Sequence, residues 1–158
     1  MKKIFISTAI PYVNANPHVG HAFEFVQADA LARYHRLIGN KVFFCTGSDD
    51  NSLKNVLKAE DVNETTASFV KRHSDIFVEL CRQLEISYDY FVSTAFDINH
   101  KNGAQKLWQK SYENNYIYKK KYSGQYCVGC EEFKIERDLN DNAECPEQIG
   151  RASCRERV

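Results

Sequence analysis

Three short runs rich in β-branched and aromatic residues alternate with stretches of helical spacing: KKIFIS at 2–7, KVFFCT at 41–46 and DYFVST at 89–94. A strand followed by a helix and then another strand pairs in parallel with its neighbour, because the crossover returns the chain to the same end of the sheet. The expected helices are 23–38, with Phe23, Val26, Ala30, Tyr34 and Leu37 on one stripe, and 65–84, with Phe69, His73, Phe77, Leu80 and Leu84 on one side. A third spans 97–115, with Asp97 as its N-cap, and Gly39-Asn40 ends the first. The alternation predicts an α/β domain with a largely parallel sheet. From about Tyr116 the texture changes to tyrosines and lysines, then cysteines, marking a second, smaller unit.

Ligands of open parallel sheets bind beyond the carboxyl ends of the strands. The first run leads into Thr8-Ala9-Ile10-Pro11-Tyr12 and then PHVGH; the second leads into Thr46-Gly47-Ser48-Asp49-Asp50. If the two strands are neighbours, both exits share one crevice. Asn16-Pro17 reads as an N-cap and first helical residue, which puts His18 and His21 in the first turn, three apart. Free N–H groups and the positive dipole end there suit an anion such as phosphate. The same dipole disfavours an imidazolium, so the rings are expected to act as hydrogen-bond donors to phosphate. Gly20 costs about 1 kcal/mol of helix propensity against alanine, and earns its place if a flat ring lies against its backbone. Taken alone, His-x-Gly-His also describes two surface histidines at a helix start. No G-x-G-x-x-G follows the first strand, and there is no P-loop.

The 158 residues are 43% hydrophobic and 27% charged with zero formal net charge, so overall charge points to neither nucleic acid nor membrane. No apolar run approaches the roughly 18 residues of a membrane span. MKKIFISTAI reads as a first strand rather than a signal peptide, since Pro11 interrupts it. A cytoplasmic location follows, where disulfides are rare, and six cysteines need another account. Cys127-x-x-Cys130, fourteen residues and Cys145 have metal-ligand spacing, and thiolates favour Zn²⁺. A redox C-x-x-C is the rival, but it would open a helix after a strand. Cys45 and Cys81 fall on a strand and a helix and read as core.

The segment TAIPYVNANPHVGH resembles the first signature of class I aminoacyl-tRNA synthetases, in the form of their methionyl branch. GSDDNSLKN at 47–55, ISYDYFVST at 86–94, YIYKKKYSGQYCVGCEEF at 116–133 and CPE at 145–147 agree in order and spacing, so the resemblance covers nearly all of 1–147. It implies a Rossmann-like fold: the N-terminal half of a catalytic domain over 1–115, then the start of a connective insertion with a zinc knuckle over 116–147. It implies ATP binding at His18, Gly20 and His21, with Glu24 one turn later, and catalysis by His18 and His21. It implies a methionine pocket from Ala9, Ile10, Tyr12 and Asp49, with Mg²⁺ on the phosphates and tRNA(Met) as acceptor. Core packing explains Ile10 and Tyr12 equally well, and an N-cap before Leu53 explains Asp49. Family members often carry D-E-H-G where this chain has Asp49-Asp50-Asn51-Ser52, so contacts of the later histidine and glycine do not carry over.

The fourth zinc ligand of the family falls at position 148, here Gln148, and residues 148–158 read as a non-native tail; Cys154 lies within it. The family's downstream lysine loop is absent, so this polypeptide alone is expected not to form methionyl-adenylate at a useful rate. Lys101, Lys106, Lys110 and Lys119–Lys121 read either as a solvated face or as a surface for tRNA phosphates. Two rivals are a small-molecule adenylyltransferase of the same superfamily, which lacks the cysteine cluster, and a zinc-ribbon module binding nucleic acid. The latter needs basic residues around the cysteines, where 131–147 is acidic.

Overall fold

The computed structural model describes residues 1–121, 124–127, 129–140, 144–146 and 156–157. In order come β1 (Lys3–Ser7), α1 (Val19–Leu37), β2 (Lys41–Ser48), α2 (Leu53–Asp61), α3 (Thr66–Gln83), β3 (Tyr90–Ser93) and α4 (Ile98–Glu113). The short strands β4 (Gln125–Cys127), β5 (Glu132–Lys134) and β6 (Glu156–Arg157) follow. Two compact units result, Met1–Trp108 and Gln109–Val158.

In the first unit β1, β2 and β3 form a parallel sheet in that order, as the alternation predicts. Both crossovers step the same way along the sheet, and right-handed connections then bring α1 and α3 to one face. The pleat sends Ile6, Val42 and Phe44 into the core with Phe25, Phe69, Val70, Phe77 and Cys81. Phe5 and Phe43 point the other way, stack with centroids 6.0 Å apart, and are 66% and 47% exposed. Gly47 is required where β2 meets β3, because a Cβ there would stand 2.1 Å from the Val92 carbonyl oxygen.

The stripe expected to bury α1 is on the wrong side. Phe23, Val26, Tyr34 and Leu37 are exposed, while Phe25, Ala28, Asp29 and Ala32 are buried. Small side chains let the helix approach the sheet closely, and the burial of Asp29 is offset by hydrogen bonds from Ser87 and Arg33. Spacing of large apolar residues could not reveal either. Helix α3 follows expectation over most of its length: Thr65 caps it by accepting from Ser68 N, Phe69, His73 and Phe77 are buried and Leu80 is half-buried, but Leu84 is the C-cap and is exposed. Asp97 caps α4, its Oδ1 accepting from Asn99 N at 2.8 Å and His100 N at 3.2 Å. Helix α2 starts at Leu53, where the sequence allows a helix start, and only Asn55 and Ala59 of it bury, so apolar spacing does not mark its length.

The second unit holds an antiparallel sheet in the order β5-β4-β6. The turn between β4 and β5 places Glu131 in the left-handed region at φ 56°. Among the described residues no helix is long and apolar enough to cross a membrane.

Candidate active site

Helix α1 opens differently from the expected Asn16-Pro17 start. His18 is the N-cap, with extended backbone (φ −121°, ψ 175°), and Val19 is the first helical residue. His18 Nδ1 accepts from Gly20 N at 3.1 Å, and His21 Nδ1 accepts from His18 N at 3.2 Å. Two histidines thus build a reciprocal capping box, the task usually given to a hydroxyl and a carboxylate. A ring nitrogen that accepts carries no proton, so each neutral imidazole holds its hydrogen on Nε2 and can donate there. The rings stack at 3.8 Å, and His21 meets the Phe77 ring edge-on at 5.2 Å. Burial, then the neighbouring His18, hold the His21 pKa below its ordinary 6.5, with Glu24 opposing. Gly20 is where a side chain would collide: a Cβ would lie 2.9 Å from His18 Cε1.

The strand exits lie side by side. Thr8 and Thr46 share a hydroxyl hydrogen bond of 2.7 Å between β1 and β2. Beyond the strands, Asp49 N donates to Pro11 O at 2.8 Å, and Tyr12 and Asp49 form an isolated parallel bridge. Ala9 is exposed, and Ile10, Tyr12 and Asp49 are half-buried. Glu24 Oε1 accepts from Ala9 N at 2.8 Å, tying α1 to the first exit. The helix mouth and both exits therefore occupy one end of the sheet, where sequence reasoning expected a shared crevice.

The neighbouring carboxylates separate by environment. Asp50 is buried; it accepts from Ser48 Oγ at 2.8 Å, from Ala95 N at 3.1 Å and from Ser93 Oγ. It ties the ends of β2 and β3. Asp49 Oδ1 accepts from Asn51 N at 3.2 Å, and the N-cap of α2 is Ser52, not Asp49. Sequence reasoning passed over Asn55, which is fully buried and donates from Nδ2 to Asp49 O at 3.2 Å and Asp50 O at 3.0 Å. It also passed over Lys54, whose Nζ stands 5.0 Å from the Tyr12 ring centroid. An asparagine in a first helical turn and a lysine beside it carry no local signal of burial or of a long-range ring contact.

In the second unit the Sγ atoms of Cys127, Cys130 and Cys145 all lie within 4.8 Å of one another. Cys130 and Cys145 are 3.6 Å apart, too far for a disulfide and close to the ~3.8 Å that a ~2.3 Å metal–sulfur tetrahedron demands. Cys130 N donates to Cys127 Sγ at 3.4 Å, a bond that stabilises a thiolate. Cys127 and Cys145 are buried. The cluster can hold a metal ion. Gln148 and Cys154 lie outside the described residues. Cys45 and Cys81 belong to the first unit, and burial raises the Cys81 thiol to about 11, as befits a core cysteine.

Fold and site define a Rossmann-like α/β unit followed by a second unit that carries a cysteine cluster. The family model for tRNA synthetases class I (M) matches residues 4–156, and the chain belongs to that family. It is 44% identical over 131 residues to the methionine–tRNA ligase of Ureaplasma parvum, covering 83% of this chain and 25% of that protein. It is 41% identical over 138 residues to that of Mycobacterium bovis, covering 87% and 26%. The chain spans about a quarter of the length of the curated relatives it matches. Methionyl-tRNA synthetase of Mycobacterium tuberculosis, solved with methionyl-adenylate, superposes with a TM-score of 0.85 at 39% identity, covering 89% of this chain and 27% of that one. A LeuRS from Agrobacterium radiobacter shares the fold at a TM-score of 0.74 and 21% identity.

Proposed function

We propose that this chain supplies the nucleotide mouth and part of the amino-acid pocket of a methionine–tRNA ligase. A methionine carboxylate oxygen bonds to the α-phosphorus of ATP as the bond to the bridging oxygen breaks, releasing pyrophosphate. A ribose hydroxyl at the end of tRNA(Met) then attacks the adenylate carbonyl; the ester bond forms as the acyl–phosphate bond breaks, and the hydroxyl proton leaves with AMP. No protein nucleophile takes part. His18 and His21 donate from Nε2 to phosphate oxygens at the helix mouth, where Gly20 gives the ring its room, and stabilise charge as it shifts to the leaving group. Asp49 pairs with the substrate ammonium. Ala9, Ile10 and Tyr12 line the thioether chain, the aromatic ring giving sulfur a favourable contact. Mg²⁺, when bound with ATP, would supply charge neutralisation on the phosphates.

The single observation that carries the reading is the pairing of Pro11 and Asp49 beside the mouth of α1, in a chain that the family model matches over 4–156. Neither rival has both the paired exits and the thiol cluster of this family. Cys127, Cys130 and Cys145 would hold a structural Zn²⁺ in a connective insertion, and the cytoplasm is where such thiols stay reduced. The test is methionine-dependent ATP–pyrophosphate exchange in the protein that carries this chain. His18→Ala and His21→Ala are each expected to lower kcat by about 10²-fold, and Asp49→Ala to raise the methionine KM. Unchanged exchange in all three variants would remove the proposal.

A further inference from the structure

Glu24 is a carboxylate one helical turn beyond His21, on the same side of α1. An anion is a poor neighbour for polyphosphate at a helix mouth, so its presence there asks for another use. Two observations supply it. Its Oε1 already accepts from Ala9 N at 2.8 Å, in the exit of β1. Its charge also acts on the His21 ring, which lies in the capping box of the mouth. One side chain thus touches both halves of the site: the helix that presents the histidines and the segment that begins the amino-acid pocket.

We infer that Glu24 is a positioning residue rather than a nucleotide ligand: it fixes the main chain at Ala9 and through it couples occupancy of the α1 mouth to binding of the amino acid. The inference rests on the methionine and ATP reading above and deepens it. The hydrogen bond bridges fifteen residues of sequence and needs only an oxygen acceptor. Glutamine at this position can make it and alanine cannot. A ligand that settles α1 at its mouth also settles Ala9 by way of this bond, and by linkage methionine returns the same factor to the nucleotide.

The test uses the 158-residue chain with Glu24→Ala and Glu24→Gln. Amide exchange at Ala9 is followed by NMR, and binding of L-methionine and of a non-hydrolysable ATP analogue by calorimetry, each alone and in the presence of the other. In Glu24→Ala, Ala9 exchange should quicken and methionine affinity fall by about tenfold, with analogue affinity within about twofold and the mutual enhancement gone. Glu24→Gln should restore all of these, which a general loss of fold would not permit. An unchanged Ala9 amide in Glu24→Ala overturns the inference. So does loss of the analogue with methionine binding intact, the signature of a direct nucleotide contact. If the parent chain binds neither small molecule, the substrate reading of this chain fails and the coupling falls with it. The Ala9 amide then reports on the tether by itself, which keeps the two failures distinguishable.

Discussion

At the scale of single residues, the mouth of α1 is a conflict settled by a glycine. Alanine at position 20 would favour the helix by about 1 kcal/mol, yet its Cβ would stand 2.9 Å from His18 Cε1 and displace the ring that caps Gly20 N. Losing that cap costs about the same. Gly20→Ala should therefore change unfolding free energy by less than about 1 kcal/mol while abolishing the stacked histidine pair. Chemical denaturation together with the imidazole proton spectrum checks this; a large loss of stability with the ring spectrum intact would contradict it. His-x-Gly-His was legible as a motif, and the need for room at Gly20 could be argued from it. The identity of the cap could not, because Asn16 is the better capping residue by preference and only the path of the chain shows that His18 occupies that position.

At the scale of elements, the two faces of the sheet differ in what they support. Phe44 is fully buried and Phe43 is 47% exposed, although they are adjacent. Phe44→Ala should cost about 3–5 kcal/mol and Phe43→Ala about 1 kcal/mol, measured by urea unfolding. Equal costs would mean that the described face is not the one that holds the fold. A polar clamp joins α1 to the turn before β3. Asp29 takes Ser87 N at 2.8 Å and Arg33 Nε at 2.6 Å, and Arg36 reaches Asp89 at 2.8 Å. Burial alone would raise the Asp29 pKa, but hydrogen bonds from Ser87 and Arg33 outweigh it and bring it below the ordinary 3.8. The clamp's contribution is complete above about pH 4 and is lost as pH falls through the depressed value. Asp29→Asn should cost about 2 kcal/mol at neutral pH, with the gap to the parent closing on acidification. Stability curves from pH 7 to pH 2 measure it, and a gap that widens in acid would refute the clamp.

At the scale of the whole molecule, each compact unit has its own source of order. The Met1–Trp108 unit has an aromatic core, whereas the described part of the other offers short strands and three converging thiols. A unit so small needs a metal or cross-link to stay folded. The chain purified without chelator should carry about one zinc, and Cys130→Ser should lose most of it. Cobalt substitution should give a thiolate charge-transfer band that the serine variant weakens. Full zinc content in Cys130→Ser would count against these ligands.

What the sequence determined by itself is what depends on near neighbours along the chain: the strand–helix alternation, the ends of α3, the Asp97 cap and the C-x-x-C pair. Spacing and capping are local, and local physics writes them into consecutive residues. Only the tertiary structure decided which face of α1 is buried, that Glu24 holds Ala9, that the Asp50 carboxylate ties β2 to β3 while the Asp49 main chain joins the first exit, and that Asn55 secures both. Those outcomes rest on hydrogen bonds and close approaches between distant segments, where a charged or polar side chain is buried because a partner far along the chain satisfies it.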